Sequence, residues 1–269
     1  MSPQKNSVVY DEWNSFYLPW YTTFKTENFV RVEWGQRSPF NGNAPIIDGE
    51  HALAGCVATA AAQLMSAFNY PKVMDGVELD WGLLKKNRRY IDYHGKEKQN
   101  FAREAAFLFR KVGDALKNNW GVKGGTSSYS SLIPPMLKEM GYLYPSTQSP
   151  YNLPHILLSL FVGETPVIMS GFRKEGTGFV GHAWICDGCW IQERKICYVD
   201  EYGDSFMFKG EERILLHCNW GWDGDNNGYF LERVFDSDNA VIADEIGEEL
   251  VVNGNYSLGV SNITCIRLR

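Results

Sequence analysis

Two residues far apart in the sequence have side chains that could together break an acyl bond. Cys56 directly precedes an alanine-rich apolar stretch, and His182 lies much later, in a run of β-forming residues. The first turn of a helix has unpaired backbone N–H groups and a positive dipole, so a cysteine there is favoured as the nucleophilic thiolate. A histidine could take the thiol proton and return it to the leaving group. The pair predicts catalysis with Cys56 as nucleophile and His182 as base; a buried structural cysteine and histidine are the alternative.

Two more polar side chains are of the types that this mechanism requires. The amide of Gln36, together with the backbone N–H of Cys56, would form an oxyanion hole for a tetrahedral intermediate. Asn219, in the run His217–Trp222, would accept a hydrogen bond from one imidazole nitrogen and direct the other towards the sulfur. An ordinary surface glutamine and an aromatic-rich turn are the alternatives.

The elements that must position these residues change in character along the chain. Apolar residues at helical spacing predict helices over residues 56–68, 101–117, 129–140 and 155–162. Beyond them, short β-like runs between Gly, Asp and Asn turns predict strands over 166–171, 181–187, 195–201, 212–220, 228–234 and 261–269. This order predicts an α+β protein in which the site lies where the helical and the antiparallel β portions meet.

Composition excludes several classes of protein. Hydrophobic residues make up 44% of the 269, and the net charge is −6, which predicts a globular chain without the basic field that nucleic-acid binding needs. The basic run 85–89 is short and is interpreted as a solvated helix face. No apolar run reaches the length of a membrane span. The polar residues 1–9 lack the apolar core of a secretion signal, which leaves open an intracellular protein or one whose signal has been removed.

Several motifs resemble those of one family of enzymes. The stretch 55–71 closely resembles the nucleophile helix of the streptopain family of bacterial cysteine peptidases, and 181–188 resembles its histidine strand. The run 217–222, with Gly228-Tyr-Phe after it, is similar to the family's tryptophan motif, and the segment around Gln36 also matches.

This resemblance implies a papain-like fold of two lobes in a single domain over 1–269. Residues 1–30 would be an N-terminal extension, about 30–150 a helical lobe, and about 151–269 an antiparallel β lobe, with the site between the lobes. It implies a cysteine endopeptidase that acts on protein or peptide substrates, uses no cofactor or metal, and tolerates apolar side chains in the subsite beside the cleaved residue. It also implies secretion or a periplasmic location, and control by a removed pro-segment or a proteinaceous inhibitor.

The roles of individual residues follow from the same resemblance. It carries over Cys56 and His182 as the catalytic dyad and Gln36 as the oxyanion donor, and leaves the orienting role to Asn219 or Trp220. The substrate-binding residues that it implies are Gly125, Ser127, Ser128, Gly181 and Trp222.

Other readings of the same residues stay open. Cys186 and Cys189 form a C-x-x-C pair. With His182 and Cys197 it could bind zinc, and by itself it could act in redox chemistry; reduced thiols in a hairpin are favoured over both. The acidic run from Asp223 imitates a calcium loop but has valine where the loop needs a glutamate. An acyltransferase or transglutaminase-like enzyme, and a non-catalytic binding protein on a peptidase fold, are the alternative functions.

Overall fold

Helices and an antiparallel sheet make up the molecule. A computed structural model describes residues 15–123, 125–143, 147–200, 202–237, 255–264 and 266. Its α-helices are α1 (Cys56–Phe68), α2 (Trp81–Leu84), α3 (Gly95–Ala115), α4 (Ile133–Glu139) and α5 (Leu153–Phe161). Its strands are β1 (Ser15–Tyr17), β2 (Tyr21–Lys25), β3 (Ile46–Ile47), β4 (Glu50–His51), β5 (Val73–Met74), β6 (Val77–Glu78), β7 (Ser149–Pro150), β8 (Val167–Glu175), β9 (Gly178–Val199), β10 (Ser205–Asn219), β11 (Gly228–Leu231) and β12 (Leu258–Ile263). The predicted α+β class is confirmed, whereas the division into two lobes stays a prediction.

Strand β9 is the longest strand of the large sheet and is paired along both of its edges. The order is β11-β10-β9-β8-β12-β7, and β10 pairs with one edge of β9 over residues 185–199. The other edge of β9 pairs first with β8, then with β2 and β1. The N-terminal segment therefore contributes two strands to the sheet over residues 15–25.

The prediction of separate strands over 181–187 and 195–201 is wrong, because β9 continues without a turn from the first into the second, as far as Val199. The carboxylate of Asp187 is fully buried; it accepts hydrogen bonds from the Val30 N–H at 2.9 Å and from Nδ1 of His217 at 2.6 Å. A Cβ at Gly188 would come within 2.7 Å of Asn28 Oδ1. An Asp-Gly pair that suggests a turn is here a buried acid and a site of close packing.

Both faces of the sheet are covered. On one face α1 and α3 share a hydrophobic core with Ile168, Ala183 and Ile185. On the other face, Ile156 and Leu160 of α5 share a core with Trp184 of β9, Leu216 of β10 and Phe230 of β11. Every position of α1 from 57 to 66 is buried, which holds its first turn rigidly against the sheet. The helix predicted over 129–140 is a 3₁₀ turn followed by α4. No helix within the described ranges combines the length and apolarity needed to cross a bilayer.

The basic run 85–89 is tied to the segment that precedes Gln36. Arg88 Nη2 lies 2.6 Å and Arg89 Nε lies 2.5 Å from the two carboxylate oxygens of Glu33, whose side chain is only 10% exposed. A buried carboxylate needs such partners. Arg88 and Arg89 therefore pair with a buried carboxylate, while their own side chains remain 64% and 42% exposed. The run follows α2 and is not itself helical, contrary to the prediction of a helix face.

Candidate active site

Cys56 is the first residue of α1, at the wall of a cavity of about 520 Å³. Gly55 before it has φ +88°, and a Cβ there would come within 3.1 Å of Thr126, so this tight entry to the helix favours glycine. No side chain caps the N-terminus of α1. Hydrogen bonding by the backbone N–H groups of Ala183, Val57 and Cys56 acts to lower the pKa of the Cys56 thiol.

His182 lies on β9 beside Ala183, and its side chain lines the same cavity. Its Nε2 is 2.9 Å from the backbone carbonyl oxygen of Trp220. A carbonyl can only accept, so Nε2 carries the hydrogen and Nδ1 of the neutral ring has a free lone pair. The ring is packed among aromatic side chains, of which Trp222 is the nearest at 4.8 Å between centroids. This arrangement fixes the tautomer and the plane of the imidazole.

Burial decides the ionisation of both groups. It raises the pKa of the Cys56 thiol, against the opposing effect of the three backbone N–H groups. It also lowers the pKa of His182 to about 4. A lone thiolate and a lone imidazolium are therefore both disfavoured in this environment. The position of Cys56 at a helix N-terminus predicts a thiolate, but burial in the free protein favours the neutral thiol.

Asn219 and Trp220 have different positions relative to the imidazole. The side chain of Asn219 is buried; its Nδ2 donates to the Val32 carbonyl at 2.8 Å and its Oδ1 accepts from the Gly221 N–H at 3.2 Å. Among the described residues no hydrogen bond joins Asn219 to the ring, whereas the Trp220 carbonyl accepts one from Nε2. Asn219 thus fastens the turn that presents this carbonyl.

Replacing Asn219 with alanine is expected to lower kcat roughly 10- to 100-fold, because a loosened turn misplaces the carbonyl that aims His182. The loss of both hydrogen bonds should also lower the free energy of unfolding by about 1–3 kcal/mol. Peptide hydrolysis and urea denaturation measure the two effects. An unchanged kcat in a destabilised variant would separate Asn219 from the orientation of His182.

The backbone of Gln36 is hydrogen-bonded to the segment just before Cys56. Its carbonyl accepts from the Ala54 N–H at 2.9 Å, two residues before the cysteine, and the residue is half-buried. Within the described part of the chain, its side chain is not among those that line the cavity. Its role as oxyanion donor stays a prediction.

The predicted substrate-binding residues divide into two groups. Ser127, Ser128 and Gly181 line the cavity, whereas Gly125 and Trp222 do not. Trp222 instead packs on the ring of His182. Sequence analysis missed further lining residues, which come from the 3₁₀ turn Ser130–Leu132 and the residue before it, from the residue before β7, and from β8, β9 and β12: Tyr129, Ser130, Gln148, Ser170, Phe172, Phe179, Val180 and Ser261. Phe179 and Val180 could have been found from their nearness in sequence to His182, and Tyr129 and Ser130 from their nearness to Ser128; the others depend on strand pairing.

Four of the other five cysteines are free thiols. Cys186, Cys189, Cys197 and Cys218 are buried and unpaired, and Cys265 lies outside the described residues. Where the structure describes the chain, no three His, Cys, Asp or Glu residues are grouped so as to hold a metal ion. The hairpin expected between Cys186 and Cys189 is wrong, because both lie inside β9.

A family model and individual protein sequences that match this chain are all those of peptidases. Residues 34–230 match the model of the peptidase C10 family. Streptopain of Streptococcus pyogenes is 24% identical, over 74% of this chain and 53% of streptopain. The thiol protease/hemagglutinin PrtT of Porphyromonas gingivalis is also 24% identical, over 74% of this chain and 23% of that protein. The chain spans about half the length of the streptopain sequences that it matches.

A solved structure has the same fold. The active wild-type interpain A cysteine protease of Prevotella intermedia superimposes with a TM-score of 0.62 at 19% identity, covering 90% of this chain and 95% of that one.

Proposed function

Since this chain belongs to the peptidase C10 family, we propose that it is a cysteine endopeptidase that hydrolyses peptide bonds in proteins through a thioester on Cys56. One hydrogen bond supports the proposal most directly. The Trp220 carbonyl holds the hydrogen of His182 on Nε2, which leaves Nδ1 free as a base in the cavity where Cys56 lies.

The first half of the reaction acylates the cysteine. Nδ1 of His182 takes the thiol proton as Sγ attacks the peptide carbonyl carbon, and the carbonyl π electrons move to oxygen. The Cys56 N–H and the side-chain amide of Gln36 stabilise that oxyanion. When the C–N bond breaks, Nδ1–H protonates the departing amine and leaves a thioester.

The second half hydrolyses the thioester. The neutral ring takes a proton from water, and the hydroxide adds to the thioester carbonyl. Collapse of this intermediate expels Sγ, which recovers its proton from Nδ1–H. The aromatic neighbours of His182 keep its buried imidazole in one orientation through both halves of the reaction.

The setting of the enzyme is part of the proposal. We propose action outside the cytoplasm, as the resemblance implies, with a pro-segment or an inhibitor protein controlling the site. The solved relatives include a prointerpain A fragment, that is, a precursor form of one relative.

An acyltransferase would use the same first half and replace water by an amine. The two outcomes differ in the product, so a protein substrate is digested in H₂¹⁸O with an excess of a primary amine, and the new C-termini are analysed by mass spectrometry. We expect ¹⁸O in the new carboxylates. Predominant amine adducts would contradict hydrolysis and establish acyl transfer.

A further inference from the structure

We propose that the cavity beside the dyad selects substrates with a carboxamide side chain, asparagine or glutamine, next to the bond that is cleaved. This inference rests on the proposed peptidase function and names its substrate preference. It departs from the apolar preference that the family resemblance implies.

The residues involved lie beside the dyad because of the strand register. Ser170 of β8 pairs with Ala183 of β9, the residue after His182, and also with Ser261 of β12. Directly paired residues project from the same face of a sheet. The two serines therefore lie in one row with Ala183, and all three line the cavity together with Cys56 and His182.

Four polar side chains at this wall form a connected network. Ser170 Oγ is 3.1 Å from Ser130 Oγ and 2.8 Å from Ser261 Oγ. Nε2 of Gln148 donates to Ser170 Oγ at 3.2 Å and to Ser261 Oγ at 2.5 Å. All four residues line the cavity, so the network faces the space that a substrate would fill.

The network leaves one hydroxyl hydrogen and the side-chain carbonyl oxygen of Gln148 unused. Its two hydroxyl–hydroxyl contacts use two of the three hydroxyl hydrogens, which leaves one on Ser130 or Ser261. Both amide hydrogens of Gln148 are used, and its Oε1 has no hydrogen-bond partner among the described residues. A carboxamide offers the complementary pair, since its N–H can donate to Oε1 and its oxygen can accept the spare hydroxyl hydrogen.

The other lining residues favour an uncharged side chain of this length. Among the lining residues that the structure describes there is no Asp, Glu, Lys or Arg, so a charged substrate side chain would lose water without gaining a counter-ion. Phe172, Phe179 and Val180 are partly exposed there and can cover the aliphatic stem of a glutamine. An apolar side chain of the same size would leave the donor and the acceptor unpaired.

The test uses quenched fluorescent peptides that differ by one near-isosteric exchange, Gln against Met and Asn against Leu. Each exchange is placed in turn at the two positions before the cleaved bond, which mass spectrometry locates. At one of these positions we expect kcat/KM to be about 10- to 100-fold higher for the amide, as for a site whose polar groups would otherwise stay unpaired. An equal or higher value for Met and Leu at both positions would overturn the proposal.

Two variants probe the network itself. Gln148→Met removes the acceptor and the two donated bonds at nearly constant volume, and Ser261→Ala removes one hydroxyl. Both should abolish the preference for the amide, while Ser131→Ala, a nearby serine outside the network, should keep the ratio. A ratio that persists in both network variants would contradict the proposal. Iodoacetamide labelling of Cys56 reports whether each variant retains a formed site.

Binding of the same peptides to Cys56→Ala separates the two hypotheses, because this variant should bind without turnover. Preferential binding of the amide peptides, with no cleavage by the wild type, would contradict the peptidase function and support the subsite. Cleavage by the wild type without preference in either measurement would contradict the subsite alone.

Discussion

Cys56→Ala is expected to lower kcat/KM for protein and peptide substrates on the order of 10⁴- to 10⁶-fold, since without the sulfur no covalent intermediate forms and the remaining groups act only by binding. The side chain lost is small and lies at a cavity wall, at the first position of a helix whose core positions are untouched. The fold should therefore survive. Hydrolysis of a quenched fluorescent protein substrate in reducing buffer, with circular dichroism as the check on folding, measures both.

The matched control is Cys197→Ala, at the far end of β9. Cys197 is a buried free thiol. Its neighbours on the adjacent strands of the sheet are Phe16 and Met207, and it does not line the cavity. It should keep activity within about twofold, as expected for a substitution remote from the chemistry. Full activity in Cys56→Ala, or equal losses in both variants, would remove Cys56 from the mechanism.

The nucleophile helix was predictable because its signals are local. It begins at Cys56 and ends at Phe68, as the apolar spacing, Gly55 and the stop at Asn69 indicate. Asn69 adopts the left-handed conformation that ends helices. Each of these signals is read from residues within a few positions of one another.

The path of β9 was not predictable for the opposite reason. Asp187 stays inside a strand because Val30 and His217, both distant in sequence, satisfy its carboxylate. A window around Asp187 and Gly188 contains only a turn pattern. The hydrogen bonds from Val30 and His217, which form only in the folded chain, keep this segment in a strand despite its turn pattern.

The orientation of His182 shows another limit. Both Asn219 and Trp220 could be considered from the sequence, and an amide side chain is the more conspicuous of the two. The contact is made by a backbone carbonyl, a group that every residue has, so no residue type marks it. The polar network of Ser170 and Ser261 is hidden in the same way, since only the register of β8 and β12 brings the two together.

His182→Ala is the second substitution with a very large expected effect, a fall in kcat/KM of roughly 10³- to 10⁶-fold, because one ring serves as base and acid in both halves of the reaction. Residues that act as a unit are not additive, so Cys56→Ala/His182→Ala should be no slower than Cys56→Ala alone. His155→Ala, an exposed histidine on α5, is the control and should retain activity. A His182→Ala protein with activity near that of the wild type would show that another group takes the thiol proton.

The rate at which iodoacetamide alkylates Cys56 reports the proton transfer without any turnover. At pH 6 the imidazole is neutral, since its pKa is lowered to about 4, and it can take the thiol proton. Without the ring, burial holds the pKa of the thiol above its ordinary value, so alkylation at pH 6 should be at least about 10-fold slower in His182→Ala. The difference should narrow as the pH rises and the thiol ionises unaided, and the wild-type rate should fall as the pH approaches 4 and the ring takes its proton from water. Equal rates at pH 6, with peptide mapping to confirm that Cys56 is the residue modified, would mean that His182 does not activate the cysteine.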